Sequence, residues 1–289
     1  MPALSGAEGS PLSEAKGLPI AFITAIAATK CWLGLVGETV NLVFLFVAFL
    51  FGASLGSFLN VVIDRIPLDK SLVRPPSHCD ACGVRLSASE LVPVVSYLFL
   101  KGRCRHCSAR VPVRVLLVEL AGGVGAAIVF PAYGVTAFGL LVYLSGMVLL
   151  ALSLIDIEQG IVPDAIIVPA TGVALLAAVF IPELGWKPAL LGGAIAFGVL
   201  LLPAVLKPGG IGWGDVKLAP LLGIVTGFPA ILFALFASFL LGGLTAVVVL
   251  MLGKGTRKTP LPFVPFLATG TILGLVWGRA IVSWYLGLF

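Results

Sequence analysis

Asp156 ends the apolar run Val148–Ile155, and Asp215 follows Gly212-Trp213-Gly214 at the head of another greasy stretch. A carboxylate at membrane depth costs about 2.5 kcal/mol or more to insert, so such residues are rarely idle. Two acids sharing one site cannot both ionise easily, and one of them keeps a proton. The ionised member suits removal of a proton from an attacking water. The protonated member suits donation to a carbonyl oxygen and, later, to a departing amine. That is the chemistry of an aspartic endopeptidase whose substrate itself lies in the bilayer. Gly212 and Gly214 fit this reading, because two glycines one residue apart let the backbone approach a second, extended chain closely. Alone, Gly-x-Gly-Asp reads equally well as a helix start capped by Asp215, and its partnership with Asp156 is what gives it weight. The nearby acids read more plainly: Glu158 as part of a polar interhelical turn, Asp164 as a helix cap behind Pro163. Gly-x-Ser-x-Gly occurs once, as Gly52-Ala53-Ser54-Leu55-Gly56 inside an apolar run, His-Glu-x-x-His is absent, and no His lies near that serine. Serine, cysteine and zinc peptidase chemistry are therefore disfavoured.

These acids need a membrane around them, and the composition supplies one. Of 289 residues, 60% are hydrophobic and 11% charged, against about 25% charged in a soluble domain. An apolar run of about 20 residues crosses the hydrocarbon. Runs at 40–62, 114–133, 135–155, 161–181, 187–206, 214–229, 230–252 and 264–288 predict an all-α polytopic protein with about eight transmembrane helices. The stretch 17–37, interrupted by Lys30, is a ninth candidate. Residues 1–16 read as a polar tail without the layout of a cleaved signal peptide. Nine of the 18 basic residues fall in one stretch (Arg65, Lys70, Arg74, Arg85, Lys101, Arg103, Arg105, Arg110, Arg114). Between transmembrane runs this marks a cytoplasmic loop rather than a nucleic-acid surface. Alternation then puts 156–160, 207–215 and 253–260 (Lys254, Arg257, Lys258) on the cytoplasmic side, while the opposite connections carry only Lys187. Asp156 and Asp215 are thus expected at the same, cytoplasmic, face.

The basic loop also contains Cys79-x-x-Cys82 and Cys104-x-x-Cys107, with 21 residues between the pairs. A two-residue gap lets one tight turn present two sulfurs to a tetrahedral metal, and Gly83 and Gly102 ease those turns. Four thiolates close the coordination sphere, which implies a structural zinc ion. Two disulfides or four inert thiols are the alternatives, the former disfavoured by a cytosolic setting. His78 and His106 lie at the knuckles as substitute ligands. The fifth cysteine, Cys31, reads as a small packing residue.

Taken in order, these motifs resemble the type IV prepilin peptidase family from about residue 52 onward. The likeness begins with Gly56-Ser57-Phe58-Leu59-Asn60-Val61-Val62-Ile63-Asp64-Arg65-Ile66-Pro67. The two Cys-x-x-Cys pairs follow, with Pro93-Val94-Val95-Ser96-Tyr97-Leu98 and Lys101-Gly102-Arg103-Cys104-Arg105 around them. Ile155-Asp156 before Pro163-Asp164, and Gly212-Trp213-Gly214-Asp215-Val216-Lys217, complete the set. The resemblance implies an inner-membrane aspartic peptidase with Asp156 and Asp215 as its catalytic pair and Lys217 helping to orient Asp215. It implies cleavage of a short basic leader from prepilins and pseudopilins on the cytoplasmic side. It also implies methylation of the new N-terminus from S-adenosylmethionine, at a site near 64–114 whose ligands the sequence does not name. Where the family commonly reads Arg-Tyr-Pro-Leu-Val-Glu, this chain has Arg114-Val115-Leu116-Leu117-Val118-Glu119, keeping Glu119. The extension before about residue 25 has no counterpart.

The expected organisation is an extension at 1–38, a first transmembrane helix at 39–63, the four-Cys cytoplasmic domain at 64–113 and a transmembrane peptidase core at 114–289. A proton-coupled transporter is the alternative, since intramembrane acids also relay protons, but no inverted repeat with interrupted helices is evident. A membrane thiol oxidoreductase would want its Cys pairs on the oxidising face.

Overall fold

The computed structural model describes residues 41–207, 211–253 and 261–287. The 1–16 tail, the 17–37 stretch with Cys31, and Lys254, Arg257 and Lys258 lie outside the described residues. Its helices are α1 (Leu42–Arg65), the short α2 (Val95–Phe99), α3 (Val113–Tyr133), α4 (Ala137–Gln159), α5 (Asp164–Phe180), α6 (Trp186–Leu206), α7 (Trp213–Thr226), α8 (Ala230–Met251), α9 (Val264–Leu273) and α10 (Arg279–Leu286). A π-helical turn, Gly274–Gly278, joins the last two. Among the described residues the only β pairing is a pair of isolated bridges in the loop between α1 and α3.

The protein is thus a helical membrane protein, with helices at all eight expected places. Among the described residues, six segments are long and apolar enough to cross a membrane: Leu42–Leu68, Val113–Tyr133, Ala137–Gln159, Trp186–Leu206, Ala230–Met251 and Val264–Tyr285. The fourth and sixth expected spans are shorter. α5 has 17 residues and α7 only 14, so α7 is about 21 Å long against a hydrocarbon core of about 30 Å. One boundary changes the reading of the site. α4 continues four residues past Ile155, so Asp156 and Glu158 lie in its last turn and not in an interhelical turn. Gly160, at φ +66°, ends that helix with its amide 2.9 Å from the Asp156 carbonyl.

In lipid, helices gain little from hiding apolar surface, so close packing has to hold the bundle together. α1 and α3 meet through Gly52 and Gly122, where a Cβ on either residue would run into the other's carbonyl oxygen. Tyr143 of α4 donates its hydroxyl towards both carbonyls, at 3.4 and 3.2 Å. Gly192 and Gly223 make an equivalent backbone approach between α6 and α7.

Candidate active site and thiol cluster

The two acids reach one region from different helices. Asp156 sits in the last turn of α4 and Asp215 in the first turn of α7. They are 9% and 8% exposed respectively. α5 and α9 each pack against both α4 and α7, and so bridge the two carriers. Asp156 is fixed by a partner that the sequence reading missed: the Val264 amide donates to its Oδ2 at 3.1 Å, and the Phe263 backbone amide also faces it. α9 begins there, so its N-terminal amides point at the carboxylate. The available signal was the spacing of Pro260, Pro262 and Pro265, which marks a helix start.

Asp215 lies close enough to feel the charge of Asp156, and it interacts with the Gly212 backbone amide. Gly212 is extended (φ −68°, ψ 138°), and α7 starts immediately after it. Gly214 has a sharper role. A Cβ there would fall 2.6 Å from Val162 Cγ2 and 2.8 Å from its Cβ, so only glycine lets the head of α7 press against the 160–163 turn.

Three neighbours differ from expectation. Lys217 bonds both oxygens of Asp164, at 2.9 and 2.7 Å, with each side chain more than half exposed. It is therefore not directed at Asp215, and Asp164 occupies the first turn of α5 in an ion pair instead of capping the helix. Glu158 accepts from Arg114 Nη1 at 2.9 Å, while Arg114 Nη2 binds Asp64. One guanidinium thus ties together α1, α3 and α4 in a belt of charge two residues beyond Asp156.

A third buried acid, Glu119, is 5% exposed on α3 and accepts from the Val94 amide at 2.6 Å. Val94 has φ 64° and ψ −51°, and Val95 N lies 2.6 Å from the Pro93 carbonyl. This is a γ-turn of the rare positive-φ kind, costing on the order of 1–3 kcal/mol for a β-branched residue. Glu119 therefore pins a strained turn of the loop to the bundle.

Within that loop the cysteine pairs fold alike. Gly83 N bonds the Cys79 carbonyl and Ser108 N bonds the Cys104 carbonyl, with φ +70° and +57° at the two donors. The sulfurs of Cys79, Cys82, Cys104 and Cys107 all lie within 4.8 Å of one another. Cys79 and Cys107 are 3.8 Å apart, about the edge of a tetrahedron with 2.3 Å metal–sulfur bonds. Backbone amides of Cys107 and His106 lower the Cys104 thiol to about 6. Cys107 is pushed up to about 11: the Ala109 amide favours its thiolate, but desolvation and the neighbouring sulfurs outweigh it. Four sulfurs this close could hold a metal ion among them. The histidines are engaged elsewhere, His78 with the Pro76 carbonyl at 2.9 Å and His106 3.9 Å from Glu90.

A multi-helix membrane bundle with a four-thiol module and two buried acids at the ends of helices that share their neighbours defines the class, and comparison with known proteins supplies the family. Residues 50–133 match the Bacterial Peptidase A24 N-terminal domain, and residues 141–247 match the Type IV leader peptidase family. A Bacillus subtilis (strain 168) protein named prepilin leader peptidase/N-methyltransferase is 33% identical over 246 residues, covering 83% of this chain and 97% of that one. Proteins of the same name from Pseudomonas putida (34% over 267 residues; 83% and 93% covered) and Pseudomonas aeruginosa (32% over 273 residues; 85% and 94% covered) are similar to it. The chain belongs to the type IV leader peptidase family. No solved structure matches it.

Replacing Glu119 by Ala strands the Val94 amide, a loss of about 1–3 kcal/mol. Hydrogen exchange at 94–99 should then accelerate about tenfold or more, with exchange in α6 and α7 unchanged. Equal protection in mutant and parent would mean that the carboxylate does not hold the turn.

Proposed function

We propose that this chain is an intramembrane aspartic endopeptidase that removes the leader from prepilins and pseudopilins and methylates the new N-terminus. Its relatives' shared name supports the substrate and the second activity. The observation that carries the peptidase reading is the burial of Asp156 and Asp215 at the ends of two helices that α5 and α9 both pack against. One carboxylate takes a proton from water as its oxygen attacks the scissile carbonyl. The other, protonated, stabilises the carbonyl oxygen and then hands a proton to the leaving amine, so no acyl-enzyme forms. Gly214 lets the head of α7 press on the 160–163 turn, and Gly212 adds an extended stretch of backbone just before it, beside which an unwound substrate would pass. No observation here favours a transporter.

Cleavage on the cytoplasmic side is supported by the charged belt. Asp156 lies two residues before Glu158, which pairs with Arg114 at the edge of the basic module, and such clusters stay on the cytoplasmic side. We read the chain as an extension at 1–38, a first span at 39–63, the module at 64–113 and the peptidase core at 114–289. Cys79, Cys82, Cys104 and Cys107 fit a structural Zn²⁺, which would supply folding energy to a loop too small for a core of its own. The cavity of about 490 Å³ between α5 and α7 is walled by Ile167, Val168 and Leu175, with the Asp164–Lys217 pair at one end. Its lining holds no aromatic side chain to take an adenine, and its one acid, Asp164, is already paired with Lys217, so these residues do not fit S-adenosylmethionine.

Asp156→Asn and Asp215→Asn should each lower leader removal by at least about a thousandfold while leaving the melting temperature unchanged. Full cleavage by either variant would refute the pair. Gly214→Ala should cost about tenfold through its clash with Val162, and Val162→Gly in the same chain should restore most of that loss; an unrescued double mutant would place the glycine's role elsewhere. Cys79→Ser should remove the metal, read as zinc per chain by elemental analysis, and one zinc retained per chain would contradict the four-thiolate site.

A further inference from the structure

The loop between α1 and α3 carries an apolar surface that neither the acids nor the thiols account for. Leu98 and Phe99 are 60% and 83% exposed, and Leu91, Val92 and Val95 are exposed beside them. All five fall within nine consecutive residues, outside every membrane-spanning helix. A water-facing loop has no reason to display them, and patches of this kind mark contact surfaces.

Their height relative to the bundle follows from two fixed points. Asp64, Arg114 and Glu158 form the belt of charge at the ends of α1, α3 and α4. Glu119 lies five residues further into α3 than Arg114, about 7.5 Å along the helix axis. Its carboxylate holds the Val94 amide at 2.6 Å. A helical side chain leans back towards the N-terminus, which recovers part of that rise but not all of it. The γ-turn at Val94, and the Val95–Phe99 helix that follows at once, therefore hang beside α3 on the membrane side of the charged belt.

Charge adds a second constraint. Residues 91–110 contain Lys101, Arg103, Arg105 and Arg110 and no Asp or Glu, and all four cations are exposed. An apolar face with cations at its edge matches the boundary between acyl chains and anionic headgroups, where interfacial segments lie about 5–10 Å deep.

We propose that residues 91–99 are an interfacial anchor, with Leu91, Val92, Val95, Leu98 and Phe99 lodged among the phospholipids of the leaflet on the module's side and Lys101, Arg103 and Arg105 on anionic headgroups. The module then rides on the bilayer instead of projecting from it, fixed from one side by Glu119 and from the other by lipid. The partner is the bilayer itself. A substrate helix or a second copy of the chain are the rival occupants of the same surface.

The test places p-benzoylphenylalanine at position 99 of the full-length protein, a site exposed enough to leave packing undisturbed. The protein is reconstituted in vesicles of phosphatidylcholine alone or with one quarter phosphatidylglycerol, irradiated and weighed intact. The anchor gives adducts with the mass of one phospholipid at position 99, and none when the same residue replaces the exposed Ser89. Phosphatidylglycerol adducts should exceed that lipid's share of the vesicle severalfold. A cross-linked dimer as the main product, absence of lipid adducts at 99, or equal labelling at 89 would overturn the anchor. Labelling in strict proportion to lipid composition would overturn the role of the cations. A second label at position 98 repeats the measurement if the first variant expresses poorly.

Discussion

An ionisable group inside a bilayer has few tolerable positions, and the helix terminus is one of them. There, unpaired backbone amides can satisfy a carboxylate that lipid cannot. Both acids use it. Asp156 ends α4 and meets the first amides of α9, and Asp215 opens α7 beside the Gly212 amide. Everything else near the site follows from bringing those ends together. α7 is cut short, Gly214 lets its head settle on Val162, and α9 starts where Asp156 needs donors. A helix of 14 residues is also too short for a full crossing.

The same economy governs the loop. It has no hydrophobic core, and three attachments replace one: the four-thiol cluster, the buried Glu119–Val94 bond and, on our proposal, the lipid face of residues 91–99. Arg114 joins this region to the end of the bundle that carries Asp156, because one guanidinium contacts the last turns of both α1 and α4. The module and the acids are therefore mechanically close although 40 residues or more separate them in sequence.

Much of this was readable from residue types. Asp156, Asp215, the two glycines and the four cysteines carry chemistry in their spacing, and the spans follow from runs of apolar residues. What stayed hidden depended on partners far away in the chain. The Val264 amide that holds Asp156 is a backbone group 108 residues distant, and the prolines that mark the start of α9 do not say which acid its amides meet. Lys217 looked like a neighbour of Asp215, yet two residues along a helix turn it about 200° away, towards Asp164. Glu158 and Arg114 each read as ordinary polar residues at a membrane edge, since an ion pair between helices leaves no local signature. The end of α4 was misplaced for a similar reason: Glu158 looks like a turn residue until its partner is known.

The most direct test of the central claim is an experimental structure with a prepilin junction peptide whose scissile bond is replaced by a hydroxyethylene group. That hydroxyl stands in for the attacked carbonyl carbon's oxygen. On this account it lies between Asp156 and Asp215, within hydrogen-bond distance of an oxygen from each. A hydroxyl bound to one acid only, with the carboxylates too far apart to share a single water, would contradict it.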